Sequence, residues 1–184
     1  MTELGHVFAG PTLGWWAGAA FTLLLGCACV SDLRTRRIPN ALVGTIALVG
    51  LAVSLASWPP LPALARFAGG LATGLALWIP FWLMRWLGAG DVKLFAAAGA
   101  WLGAWLAVKA AVLAAIIGGV LSVGWIAWAR GWGAAARTIV LTTMHPSMAS
   151  GAGRDVDERR RHLPYGVAMA IGLAVVWWFP SLLF

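Results

Sequence analysis

The sequence predicts an all-α fold, a polytopic membrane protein with about six transmembrane helices. Three observations carry that reading. Hydrophobic residues make up 61% of the 184 and charged residues only 10%, with a mean hydropathy of +0.86. That composition is too apolar to coat a water-soluble surface. Apolar runs close to the ~20 residues that a helix needs to cross a bilayer recur along the chain. Between them the basic residues fall in short blocks, a pattern of membrane orientation rather than of a phosphate-binding face. The net charge of +7 is therefore not read as a nucleic-acid signal.

Residues 1–11 are a short polar tail, and 12–31 form the first helix, with Trp15 and Trp16 as interfacial anchors. Its basic residues follow the apolar run rather than precede it, so a spanning helix is expected instead of a cleaved signal peptide. In the segment Asp32-Leu33-Arg34-Thr35-Arg36-Arg37-Ile38-Pro39-Asn40, Pro39 disfavours helix at Ile38. Asn40 suits the N-cap of a second helix, 41–57. Pro59, Pro60 and Pro62 read as a turn before a third helix, 66–86. There Pro80 is expected to kink the axis, and Trp78, Trp82 and Trp86 to form one packing or lipid-facing stripe. A short fourth helix, 91–102, offers a small-residue edge at Gly99 and Gly103 for close packing. A fifth helix covers 106–128. Segment 130–163 is a polar loop whose part 132–144 has weak interfacial-helix character. Pro164 suits the first turn of a sixth helix, 164–179. Residues 1–184 thus form a single membrane-embedded domain, with no internal repeat.

The loops after the first, third and fifth helices hold eleven of the thirteen basic residues; only Arg66 and Lys109 fall on the other side. The positive-inside rule then makes loops 1–2, 3–4 and 5–6 cytoplasmic, including 130–163, and puts both termini outside.

Acidic residues are few. Glu3 is in the tail, and Asp155, Asp157 and Glu158 are in the polar loop. Only Asp32 and Asp91 remain, each where an apolar run meets a basic patch on the same predicted side. Ionisable groups at membrane depth are costly, so these two default to function. A pair of carboxylates can hydrolyse a peptide bond when one is ionised, to activate water, and the other protonated, to polarise the carbonyl. No Ser-His or Cys-His arrangement competes: His6 lies on the wrong side, and His145 and His162 lie in the loop. Cys27 and Cys29 make no CxxC, and Cys29 reads as a small buried filler near Asp32. Neither metal nor cofactor is expected. Gly88 and Gly90 flank Asp91 closely enough to admit a substrate backbone or a neighbouring helix. Lys93 could steer a substrate carbonyl or serve only as an orienting charge, and Asn40 could support substrate or only cap its helix. The rival class is a small transporter or channel subunit in which Asp32 and Asp91 carry protons or cations.

The segments Asp32…Arg37-Ile38-Pro39-Asn40, Gly88-Ala89-Gly90-Asp91-Val92-Lys93-Leu94 and Gly99-Ala100-Trp101-Leu102-Gly103 together resemble the prepilin peptidases, the type IV leader peptidases. Leu163-Pro164-Tyr165-Gly166-Val167-Ala168 resembles the opening of that family's last core helix. The likeness runs from about residue 20 to 175. Presenilin-like and signal-peptide-peptidase proteins share the GxGD element, but the Ile-Pro-Asn and Pro-Tyr-Gly contexts favour the prepilin group. The resemblance implies an aspartic endopeptidase of the bacterial cytoplasmic membrane, with Asp32 and Asp91 as its catalytic pair. Its partners would be the lipid bilayer and prepilins or pseudopilins, whose basic leader it removes on the cytoplasmic side. Longer members carry two CxxC pairs and methylate the product. Without them, this chain looks like the short CpaA/TadV-like form associated with Flp-type pili, and methylation is not expected. Within the pair, Asp32 closes one helix and Asp91 opens another, so the helix ends alone assign the shared proton to Asp32.

Overall fold

The computed structural model describes residues 11–35, 37–130 and 165–181. They form six helices and no strand: α1 (Pro11–Thr35), α2 (Asn40–Ser57), α3 (Pro60–Leu83), α4 (Ala89–Leu102), α5 (Ala104–Arg130) and α6 (Tyr165–Trp178). Four of them, α1, α2, α3 and α5, are long and apolar enough to cross a membrane. The protein is an all-α, polytopic membrane protein. The tail through residue 10, the loop 131–164 with its weak interfacial helix, His6, His145 and His162, and the acidic run from Asp155 lie outside the described residues.

The centre of the bundle is α4. From Val92 onward every residue except Lys93 is buried, although the helix has only 14 residues, about 21 Å at 1.5 Å per residue. It is reached through glycines. A β-carbon at Gly70 of α3 would collide with the Gly99 carbonyl, and one at Gly74 would lie 2.9 Å from Ala96 Cα. The edge predicted at Gly99 is therefore where α3 seats, backbone against backbone. Gly172 does the same for α6 on α5, 2.8 Å from the Ala114 nitrogen by the same measure. Phe21, Trp101 and Trp177 join α1, α4 and α6, with ring centroids 5.0 to 6.0 Å apart. The Trp101 indole N–H donates to the Ile46 carbonyl at 2.7 Å, and its ring fits against Gly50 of α2.

Several helix ends differ from the sequence expectation, each for a local reason. α3 begins at Pro60, not residue 66, because the first-turn N–H groups of a helix are unpaired anyway and proline loses nothing there. It stops at Leu83. The Arg85 and Trp86 N–H groups fold back onto the Trp82 and Phe81 carbonyls, each at 2.9 Å, and Arg85 takes the left-handed φ of 59° usually left to glycine. Phe81 packs on Trp86 at 6.0 Å, the apolar contact that accompanies this kind of helix stop. The tryptophan stripe consequently does not exist. Trp78 is buried against Phe95, Trp82 is exposed, and Trp86 lies beyond the helix. α1 continues to Thr35 because nothing interrupts it before the residues ahead of Pro39. At the other end of α4, Gly103 turns the chain at φ 80° and α5 starts at once with Ala104.

Arg66 and Lys109, counted above only as charges, close helix ends. Arg66 donates to the Leu102 carbonyl at 3.5 Å and stacks over Trp58. Lys109, only 6% exposed, donates to the Pro180 carbonyl at 3.1 Å, just past α6. Cations suit helix C-termini, whose last carbonyls are unpaired.

The glycine seam yields a paired prediction. Gly70→Ala should destabilise by about 1–2 kcal/mol, because overpacking against a backbone that cannot give way exceeds alanine's helix preference. Gly26→Ala, on an exposed face of α1 with nothing within 4 Å of the new carbon, should be neutral or stabilising by up to ~1 kcal/mol. Unfolding in mixed micelles measures both.

Candidate active site

Three helix ends meet at one end of the bundle. Asp32 is in the last turn of α1, Asp91 in the first turn of α4, and Gly166 in the first turn of α6. A β-carbon at Gly166 would lie 2.8 Å from Asp32 Oδ2 and 3.4 Å from Asp91 Oδ1. Both carboxyl groups thus border the one space that the missing Gly166 side chain leaves open. The two carboxylates also interact electrostatically. Both are partly buried, and among the described residues no other carboxylate exists.

Asp91 is held by its own helix start. Its N–H donates to the Gly88 carbonyl at 3.1 Å, and its carboxylate accepts from the Gly88 backbone in return. This is the return half of a capping box, in which the third helical residue reaches back to the N-cap. A β-carbon at Gly88 would stand 3.3 Å from Asp91 Oδ2. Gly88 therefore faces the carboxylate itself, while Gly90 faces Ile38 of the α1–α2 connection, 3.5 Å away by the same measure.

Asn40 does not cap α2. The cap position belongs to Pro39, whose carbonyl accepts from Leu42 and Val43 at 3.0 and 3.2 Å, and Asn40 makes no capping hydrogen bond. Instead Asn40 Oδ1 accepts from Lys93 Nζ at 3.4 Å. Both side chains are exposed. Lys93 is thereby tied to α2. Cys29 packs on the hydrophobic core one turn before Asp32. Among the described residues no group of three or more His, Cys, Asp or Glu gathers to hold a metal ion.

Gly166 was not singled out from the sequence as a site residue. Its only trace there is the Pro-Tyr-Gly segment, because the property that matters is a missing side chain. Its position also removes the basis for assigning the proton from helix ends. Asp32 meets the positive N-terminal turn of α6 as well as the negative end of α1.

Fold and site together define a polytopic helical membrane protein with a carboxylate pair at one end of its bundle. The profile of the type IV leader peptidase family matches residues 19–123, which include Asp32 and Asp91, and the chain belongs to that family. Membership makes the protein a peptidase, and type IV prepilins are the substrate class the family implies. No curated protein and no solved structure gives a significant match.

Gly166→Ala should displace the Asp32 carboxylate and reduce leader cleavage by about 100-fold, the scale of a 1 Å misplacement. Helical content and thermal midpoint should stay near wild type. Full cleavage by a folded Gly166→Ala protein would show that the contact with Asp32 is dispensable.

Proposed function

We propose that this leader peptidase is an aspartic endopeptidase in which Asp32 and Asp91 share one proton and activate one water. The observation that supports it is that both carboxyl groups border the same space, where a β-carbon on Gly166 would stand. Two carboxylates bordering one space do not ionise independently, so the pair passes through a singly protonated state between its two titration steps. The ionised member draws a proton from the attacking water, and the protonated member polarises the scissile carbonyl. As the tetrahedral intermediate collapses, a proton passes to the leaving amine. Helix N-termini beside the pair supply fixed dipoles where negative charge is held.

The substrate reading is a prepilin or pseudopilin with a basic leader, of the Flp type, cut on the cytoplasmic side of the inner membrane. It is supported by the eleven-to-two distribution of basic residues, which favours the cytoplasmic side for the end of the bundle bearing Asp32 and Asp91. Both termini are then extracytoplasmic, and the single domain spans 1–184. A proton- or cation-carrying subunit fits less well, because both carboxylates cluster at one end instead of marking a path across the bundle.

Asp32→Asn and Asp91→Asn should each lower cleavage by at least about 10³-fold, as expected for groups that act as a unit, while the protein stays folded and inserted. Incubation with a prepilin precursor and mass measurement of the product reads this directly. Wild-type turnover by either inserted variant sinks the aspartic mechanism.

A further inference from the structure

The two helices that carry the carboxylates touch through Phe21 and Trp101, about three turns away from Asp32 and Asp91, and little elsewhere. α1 and α4 have almost no close backbone pairs, whereas α4 packs broadly on α2 and α3. The separation of Asp32 from Asp91 is thus set by what lies between them. One such element is the first turn of α6, already described. The other is the segment 37–40, which leads into α2 and includes its first residue Asn40, and it is fastened at three points.

On the α1 side two hydroxyls close on one oxygen. Ser31 Oγ donates to the Arg37 carbonyl at 2.9 Å, and Thr35 Oγ1 lies 3.1 Å from the same oxygen and 2.9 Å from the Ser31 carbonyl. In the middle, Ile38 covers Gly90. On the α2 side, Asn40 accepts from Lys93. Ser31 is the neighbour of Asp32, Gly90 is the neighbour of Asp91, and Lys93 is two residues further along α4. Every fastening therefore attaches beside a carboxylate-bearing turn. The Asn40 bond to Lys93 is not a cap of α2, since α2 already begins at Asn40 and the cap position falls to Pro39.

We propose that residues 37–40 form a strap that sets the separation of the two carboxylates, with Ser31, Thr35, Asn40 and Lys93 as its positioning residues. It rests on the aspartic reading above. The strap touches neither the reacting atoms nor the substrate in this scheme. It fixes how far the last turn of α1 stands from the first turn of α4. Loosening it lets the carboxylates separate, so the shared water and shared proton are lost while substrate still binds.

The test uses the full chain in lipid nanodiscs with a prepilin precursor as substrate. The Ser31→Ala/Thr35→Val double variant removes both hydroxyls and leaves every charged residue in place. Its kcat should fall by at least about 10-fold with KM within about twofold, the pattern of an interaction felt only in the transition state. The bell-shaped pH profile should narrow, because coupling between two carboxylates is what drives their two titration steps apart. Asn40→Ala, acting at the other end of the strap, should change kcat and the pH profile in the same sense. Ser31→Thr and Thr35→Ser, which keep a hydroxyl at each position, should restore wild-type values. Wild-type kcat and pH profile in both the double variant and Asn40→Ala overturn the proposal. So does a rise in KM at unchanged kcat, which would make the segment a substrate contact. Asp32→Asn run alongside separates the two readings. If it is inactive while the strap variants behave as wild type, only the strap falls; if it is active, the carboxylate pair falls too.

Discussion

The structure depends on one backbone contact, Gly70 of α3 against Gly99 of α4. In a bilayer the lipid tails are as apolar as leucine, so helices gain nothing from simply hiding side chains. They associate through close packing, which small residues permit. With no side chain on either glycine, α3 settles directly on α4. A 14-residue helix too short to cross the membrane thereby becomes the buried centre of the bundle. Trp101 of that helix then meets Gly50, Phe21 and Trp177 on three neighbours, and its first turn presents Asp91 where α6 begins.

A short helix inside a bundle brings its unpaired end groups with it, and in an apolar medium each must find a partner. The answers are visible at both ends of α4. Arg66 takes the Leu102 carbonyl at one end, and Gly88 and Asp91 exchange hydrogen bonds at the other. Lys109 does the same for the end of α6. The carboxylate pair belongs to this pattern. Asp91 stands in the first turn of α4 and Asp32 faces the first turn of α6, where backbone dipoles make a negative charge tolerable, and the reaction proposed for them uses that tolerance. The two aspartates sit on helices that touch through Phe21 and Trp101, far from the carboxyl groups, and the first turn of α6 lies between the two side chains.

The sequence reading went astray at helix ends, where the local backbone path and not the side-chain pattern sets the boundary. Prolines that look like a turn after Trp58 are the first turn of α3, because no helical N–H is lost there. Asn40 has the chemistry of a cap, yet it is already the first residue of α2, the cap position falls to Pro39, and Lys93 is within reach. Trp78, Trp82 and Trp86 have helical spacing, yet Arg85 enters the left-handed region and ends the helix between the second and third.

The sequence by itself determined the class of fold and the six helices found among the described residues, and it singled out the two carboxylates on which the proposed site rests. Each follows from composition, run length or scarcity: two acidic residues bordering apolar runs, in a chain with six in all, need no coordinates to be noticed. The seam at Gly99 was also legible, since small residues spaced along a helix have one plausible use. Only the tertiary structure decided what stands beside the pair. Gly166 is 134 residues from Asp32 in sequence, and its contribution is the space where a β-carbon would be. That property leaves no mark on periodicity or charge, and it acquires meaning only when another helix end arrives within van der Waals distance.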